Sequence, residues 1–102
     1  MIARVFKGWT APQNADAYEH LLRDRVLPQL HTLAGYQGGY ILRHDRAEES
    51  EFLIINFFSS LEAVKAFSGD DISVPVFEPE ARVLLSRIDE RVDHYDVRHQ
   101  PR

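Results

Sequence analysis

The sequence contains no cysteine. This absence excludes disulfide bonds, thiolate nucleophiles, iron–sulfur clusters and cysteine-ligated zinc sites. Histidine offers no substitute, because His31 and His44 have no partners at metal-ligand spacing, and His94 and His99 make only a weak cluster with the nearby aspartates. The sequence therefore predicts no metal site.

The chain also lacks a long hydrophobic run and a basic run. Its longest largely apolar stretch, FLIINFF at 52–58, has seven residues, whereas a membrane-spanning helix needs about 20. The N-terminal MIARVFKGW lacks the charged segment and long apolar run of a signal peptide. The 12 basic and 16 acidic residues give a net charge of −4, which does not favour nucleic acid. We expect a soluble, cytoplasmic protein with no membrane or nucleic-acid partner.

What the sequence does contain is typical of one globular domain. Apolar residues make up 44% of its 102 residues, which is enough to build a single core. We predict one domain over residues 1–98, followed by a frayed C-terminus at 99–102.

The stretch FLIINFF is the most informative segment of the chain. It is apolar at every position except Asn56, and a strand with one solvated face would alternate between apolar and polar residues. This strand therefore requires a covering layer on each face. A chain of this size supplies one layer of helices, so we expect a second copy of the chain to supply the other.

Hydrophobic spacing and turn residues predict the order of the elements. The expected elements are a strand at 2–10, a helix running to Leu33 that Pro28 kinks or splits near Val26, strands at 36–45 and 51–59, a helix ending at Gly69, a short helix at 80–86 and a strand at 88–98. This order is the ferredoxin-like split βαβ arrangement, an α+β fold with a four-stranded antiparallel sheet and helices on one face.

Local signals refine three positions in this pattern. Asn14 is the expected N-cap of the first helix, and Ser59 with Glu62 forms the S-x-x-E capping box of the second. Gly38 and Gly39 lie early in a strand, where paired glycines indicate a bulge or a close approach of the backbone.

Four segments of the chain resemble the antibiotic biosynthesis monooxygenase (ABM) domain family of the dimeric α/β barrel superfamily. They are LAGYQGGYILR, NFFSSLEAVKAF, PEARVLL and RVDHYDV, and the resemblance as a whole covers nearly the whole chain. The resemblance implies a dimeric α/β barrel formed by a homodimer that pairs through the sheet face. It also implies a cofactor-independent monooxygenase acting on a small aromatic, polyketide-like or quinol-like substrate.

The chain departs from this family at three places. The asparagine that haem-degrading members use near the start of the first strand is absent, and Arg4 and Lys7 are the polar residues there. Phe58 stands where many members carry a tryptophan, at the junction of the third strand and the second helix. Haem-degrading members place an iron-ligating histidine on the following helical segment, but residues 67–87 contain none. Haem degradation is therefore not expected.

Asn56 and His94 are the candidate catalytic residues. Asn56 shares a strand face with apolar side chains, and a buried amide needs partners, either in a ligand or within the protein. His94 can act as a base near neutral pH or lie at a dimer contact or sheet edge. It cannot enter the same pocket as its neighbour Tyr95, because adjacent strand residues point to opposite faces.

Aromatic and basic side chains complete the candidate site. Trp9, Tyr36 and Tyr40 can line an aromatic pocket or fill the core and interface. Arg4 can neutralise an anionic substrate or pair with a carboxylate of the protein. Phe58, at the end of the apolar strand, is the fifth candidate substrate-binding residue.

Two functions follow from these residues. One is the monooxygenase, in which a dry pocket stabilises a substrate anion that itself activates oxygen. The other is a non-catalytic dimer of the same architecture that binds a small molecule or assists a neighbouring enzyme.

Overall fold

An antiparallel sheet with helices on one face forms the framework of this protein, whose computed structural model describes residues 1–101. The strands are β1 Ile2–Thr10, β2 Tyr36–Asp45, β3 Ser50–Phe58, β4 Leu85–Ile88 and β5 Asp93–Asp96. The helices are α1 Ala15–Leu21, α2 Leu27–Leu30, α3 Leu61–Ser68 and α4 Pro79–Leu84. No helix within these residues has both the length and the apolar character needed to cross a bilayer.

The strand order is β2-β3-β1-β4, and β5 pairs with the other end of β1 beside β4. The predicted ferredoxin-like α+β fold is thereby confirmed, with β1 and β3 at its centre. The sheet is open and does not close on itself within the described chain. A core cluster that includes Tyr18, Leu22, Phe52 and Leu85 lies between the sheet and the helices.

The last strand differs from the prediction. The expected continuous strand at 88–98 is divided into β4, which pairs with Gly8–Thr10, and β5, which pairs with Ile2–Val5. Between them Val92 is buried, and its N–H donates to the carbonyl of Ser73 at 2.8 Å. Asp89 N–H still donates to the Lys7 carbonyl of β1 at 3.0 Å, and the inward turn takes residues 90–92 out of the sheet. Residues 97–101 have no regular structure, and Arg102 of the predicted frayed end lies outside the described residues.

The capping prediction for α3 was wrong by one residue. Ser60, not Ser59, is the N-cap of α3: its backbone is extended and its Oγ accepts from Ala63 N at 3.2 Å. Ser59 is still engaged before the helix, where its N–H donates to the Gly35 carbonyl at 2.7 Å. Asn14 is the N-cap residue of α1, as predicted, but its side chain makes no capping bond, because it ends a 3-10 turn at Pro12–Asn14 and already has helical dihedral angles.

The predicted interruption near Pro28 is confirmed and takes the form of a π-helical segment. Leu22–Val26 joins α1 to α2, and Leu27 N–H donates to the Leu22 carbonyl, five residues back. A proline has no N–H to donate, and its ring would clash with the carbonyl four residues earlier in a regular helix. The wider π-helical turn ends at Val26, two residues before this proline.

The two faces of β3 differ in burial within one chain. Phe52, Ile54, Asn56 and Phe58 point toward the helices and are buried, whereas the alternate residues 51–57 are half-buried. On that second face the side chains of Tyr40 (58%), Leu42 (45%) and Tyr95 (57%) are exposed. The second layer that FLIINFF requires is therefore not provided by the described residues of this chain.

Replacing Ser60 by alanine tests the corrected helix start. We expect Ser60→Ala to lower the free energy of unfolding by about 1 kcal/mol, because the Ala63 N–H loses its side-chain acceptor. Ser59→Ala is the matched control and should change stability by less than about 0.5 kcal/mol. Urea denaturation of the two variants at pH 7 measures both, and a larger loss for Ser59→Ala would contradict the assignment.

Candidate functional site

A cavity of about 440 Å³ lies between the sheet and the helical layer. Its floor is formed by β1 and β3, its roof by α1, the π-helical segment and α2, and one wall by residues 76–78 before α4. Most lining side chains are apolar. The exposed residues Gln29, Thr32 and Val76 also line it and mark its mouth. The volume is within the range of small-molecule sites.

A row of polar residues crosses the sheet beneath this cavity. Strand register places Gly39 opposite Asn56, Asn56 opposite Arg4, and Arg4 opposite His94. Directly opposed residues in an antiparallel sheet point to the same face, so the three polar side chains all lie on the side of the helices. Asn56 and Arg4 line the cavity, whereas His94 does not.

Tyr36 holds the amide of Asn56. The Tyr36 hydroxyl donates to Asn56 Oδ1 at 2.7 Å, which leaves the Nδ2 hydrogens of the amide without an acceptor among residues 1–101. Burial raises the pKa of Tyr36 to about 12, so the phenol stays protonated and able to donate at neutral pH. The amide therefore presents its donor end to the cavity.

The paired glycines make room for this hydrogen bond. The β2–β3 register shifts between Tyr36 and Gly39, so the predicted bulge is present. A Cβ on Gly39 would lie 2.6 Å from the Ile55 carbonyl and 2.8 Å from the Tyr36 hydroxyl, and Gly38 has a φ of +102°. Only glycine at 39 allows the tyrosine and the amide to meet.

Arg4 is buried, with 4% of its surface exposed, and is bound by neutral groups. Its Nη1 donates to the carbonyl of Ile72 at 2.6 Å, and its Nη2 donates to that of Val74 at 2.9 Å. The Phe67 ring centroid lies 5.4 Å from its Cζ. Arg4 thus anchors the irregular segment before α4 across the edge of the cavity.

His94 contacts Arg4 and lies behind it as seen from the cavity. Its Nε2 is 3.0 Å from Arg4 Nη1, so it accepts a hydrogen bond as a neutral imidazole. Burial lowers the pKa of His94, the positive charge of Arg4 lowers it further, and Asp93 acts in the opposite direction. His94 is thus in contact with a cavity-lining residue, Arg4, but does not itself line the cavity.

The remaining candidate residues fall into two groups. Phe58 is sealed in the core, where its ring packs against those of Tyr36 and Phe67 at 5.5 and 5.9 Å. Trp9 and Tyr40 lie on the opposite face of the sheet and do not reach the cavity, because they pair in register with Glu51 and Ile55, which face away from the helices. Trp9 is covered there by Arg87, whose Cζ is 3.7 Å from the ring centroid.

Tyr18 is the cavity residue that the sequence pattern does not single out. Its ring packs edge-on against Phe52 at 4.8 Å, as expected for the apolar stripe of α1. Its hydroxyl has no hydrogen-bond partner within residues 1–101. The hydroxyl oxygen is nevertheless not fully buried, and the residue lines the cavity. A tyrosine in an otherwise aliphatic stripe was the available signal, because its hydroxyl needs a partner.

The pKa of His94 gives a pH-dependent prediction. An unfolded His94 regains an ordinary pKa near 6.5, so below that pH the unfolded chain binds more protons than the folded one. The stabilisation is full above pH 6.5 and is lost as the pH falls toward the lower pKa of the folded state. We expect the unfolding free energy of the wild type to drop more between pH 7.5 and 5.5 than that of His94→Gln, which keeps an acceptor for Arg4. Parallel pH curves in urea denaturation would contradict this.

Comparisons with solved structures show the same fold in proteins of distant sequence. A proposed antibiotic biosynthesis monooxygenase from Deinococcus radiodurans superposes with a TM-score of 0.69 at 13% identity, covering 100% of this chain and 97% of the other. The haem degrader MhuD of Mycobacterium tuberculosis, with two haems in its active site, gives 0.64 at 13% identity and 99% coverage of both chains. The ActVA-Orf6 monooxygenase of Streptomyces coelicolor, in complex with nanaomycin D, gives 0.61 at 12% identity, covering 98% and 89%.

The cavity of this chain does not fit haem. Haem iron in proteins is held by histidine, cysteine, methionine or tyrosine. The lining residues include no histidine, cysteine or methionine, and burial raises the pKa of Tyr18, the one lining tyrosine, which disfavours the phenolate. Within residues 1–101, no three His, Asp or Glu side chains come together as a metal site.

Sequence comparison gives one family and no individual relative. A search of curated proteins finds no match. The sequence model of the family described as antibiotic biosynthesis monooxygenase matches residues 1–72, which include β1, β2, β3 and α3 and thus the Tyr36, Asn56 and Arg4 side chains. Since this match extends over more than two thirds of the chain, the protein belongs to the antibiotic biosynthesis monooxygenase family.

Proposed function

We propose that this protein is a cofactor-independent monooxygenase that oxidises a small, electron-rich aromatic compound of the polyketide or quinol type. The observation that carries the proposal is an apolar cavity whose polar lining includes three hydrogen-bond donors in its interior. These are the Tyr18 hydroxyl, the Asn56 amide and the Arg4 guanidinium, each with a hydrogen that no acceptor in residues 1–101 engages. Family membership supports the reaction class.

Such a reaction needs no external reductant. Oxidation of the sp3 CH2 group of an anthrone-type ring to C=O consumes one O2 and releases one water, and the substrate supplies all four electrons. The substrate first ionises by losing a proton to bulk water, and its anion transfers an electron to O2. Donors that are already oriented toward the anionic oxygen stabilise this state without reorganising.

The cavity contributes a dry environment to this chemistry. Phe6, Ile54 and Phe67 are among the side chains that line it, so a bound aromatic ring would displace water. Charge–dipole interactions are stronger where water is excluded. Asn56 has the central role in this scheme, because Tyr36 fixes its amide with the N–H groups toward the substrate oxygen.

Oxygen uptake with a panel of hydroxylated quinols and anthrone-type compounds tests the proposal. We expect turnover by the wild type, and a loss of about 100-fold or more in kcat for Asn56→Ala, the usual effect of removing one oxyanion donor. Asn14→Ala is the matched control, since Asn14 is the chain's other asparagine and makes no side-chain cap. Absence of turnover across the panel, or equal rates for Asn56→Ala and wild type, would overturn the proposal.

A non-catalytic, ligand-binding role is the second candidate. The observation in its favour is Phe58, which is fully buried against Tyr36 and Phe67 where many relatives have a tryptophan. In this role the cavity holds a small molecule without oxidising it. Binding of the same compounds without oxygen uptake would distinguish this function from the first.

We propose further that two copies of the chain pair through the sheet face opposite the helices. That face carries Leu53, Ile55 and Phe57 from the central β3, half-buried in the single chain, beside the exposed Tyr40 and Leu42. Contiguous apolar surface of this kind is unusual on a monomer. A second copy placed face to face would provide the missing layer.

Light scattering tests the pairing. We expect a mass of twice 11.8 kDa for the wild type and a shift to the monomer for Ile55→Glu, which puts a charge at the centre of this face. Leu61→Glu, an exposed change on α3 in the helical layer, is the control and should stay dimeric. A wild-type mass of 11.8 kDa, with a native circular dichroism spectrum, would contradict the proposal.

A further inference from the structure

Arg4 is a buried cation without a counter-charge. Only 4% of the surface of Arg4 is exposed, and no carboxylate of residues 1–101 forms an ion pair with it. Arginines in protein interiors are almost always paired with a carboxylate, a phosphate or another anion. Burial lowers the pKa of Arg4 to about 10, so the group remains charged at neutral pH. The interior of this protein therefore carries one net positive charge beside an apolar cavity.

The neutral partners of Arg4 leave part of its donor capacity unused. Two carbonyls, those of Ile72 and Val74, and the imidazole of His94 engage three of its five N–H groups. The Nε–H and one Nη2–H have no acceptor among residues 1–101. The Arg4 Nε atom is also accessible to solvent or to a ligand. Among residues 1–101, Thr10 Oγ1 is the only side-chain polar atom that is both fully buried and without a hydrogen-bond partner.

The one carboxylate that lines the cavity is already neutralised. Glu78 Oε2 lies 3.3 Å from Arg25 Nη2, at the end of the cavity near α4. Tyr18 and Asn56 each have a free donor in the interior, and the Asn56 oxygen already accepts from the Tyr36 hydroxyl. The interior polar groups are thus one cation and two donors, all suited to an acceptor that carries negative charge.

We propose that the resident ligand of this cavity is a small apolar monoanion, an aromatic carboxylate in the form tested below, whose charged oxygens bind the free N–H groups of Arg4. The apolar lining accommodates the ring and the guanidinium accommodates the carboxylate. The inference rests on the cavity of the proposed function but not on oxygen chemistry. It narrows the substrate class to compounds that already carry a negative charge when they bind. This charge is separate from any that develops during the reaction.

Three matched probes test the charge preference on the unmodified protein by isothermal titration calorimetry at pH 7.5. 1-Naphthoate carries the anion, 1-naphthamide has the same shape without charge, and 1-naphthylmethylammonium reverses the charge. We expect naphthoate to bind at least about ten-fold more tightly than naphthamide, as charge-assisted hydrogen bonds are the stronger kind. Equal or weaker binding of naphthoate, or no binding of any probe at millimolar concentration, would overturn the inference.

Variants then assign the preference to Arg4. Arg4→Gln should abolish the difference between naphthoate and naphthamide, whereas Arg4→Lys, which keeps the charge, should retain part of it. Arg87→Gln is the matched control, since Arg87 lies over Trp9 on the opposite face and should leave the preference intact. If Arg4→Gln does not fold, the assignment is tested by comparing naphthoate and naphthamide binding in the wild type and in Arg4→Lys. A preference that persists in folded Arg4→Gln would overturn the assignment.

Parallel oxygen-uptake measurements separate this inference from the proposed function. Selective naphthoate binding without turnover of any phenolic compound would overturn the monooxygenase and leave the anion site standing. Turnover of neutral quinols without a preference for naphthoate would overturn the anion site and leave the monooxygenase standing.

Discussion

The pairing of β1 with β3 is the constraint on which the rest of the site depends. Nine consecutive residues of β1, Ile2–Thr10, pair with β3 without a bulge. This register alone places Arg4 beside Asn56 on the helix side of the sheet. A slip of one residue would turn one of the two toward the opposite face and separate them. The apolar neighbours that fix the register, Phe6 opposite Ile54 among them, therefore also determine the chemistry of the cavity.

The features that sequence reasoning predicts well are those set by local periodicity. β1 and β2 have the expected bounds, because apolar and β-branched residues alternate between clear turn signals. The same alternation places Asn56 with Phe52 and Phe58 on one face, as found. It also separates Trp9 from Arg4. The two residues are five positions apart in β1, so their side chains point to opposite faces of the sheet. Aromatic content favoured Trp9 as a pocket residue, but strand parity already assigned it to the other face.

What could not be predicted depends on contacts between distant parts of the chain. Arg4 is bound by carbonyls 68 and 70 residues away, and a backbone carbonyl carries no sequence signature. The break between β4 and β5 has the same origin, because Val92 is drawn inward by a hydrogen bond to Ser73. The alternatives for Arg4 were a ligand anion or a protein carboxylate. No carboxylate of residues 1–101 pairs with Arg4, and two backbone carbonyls bind it instead.

The position of Trp9 has a consequence for how this protein can be observed. Trp9 is the only tryptophan in the chain, and it lies beneath Arg87 on the face of the sheet opposite the cavity. Its fluorescence therefore reports on the environment of that face, including any surface that packs against it. A molecule entering the cavity would be separated from the indole by the full thickness of the sheet. The tryptophan fluorescence of the protein thus reports on the face opposite the helices, and Tyr18 is the one tyrosine among the residues that line the cavity.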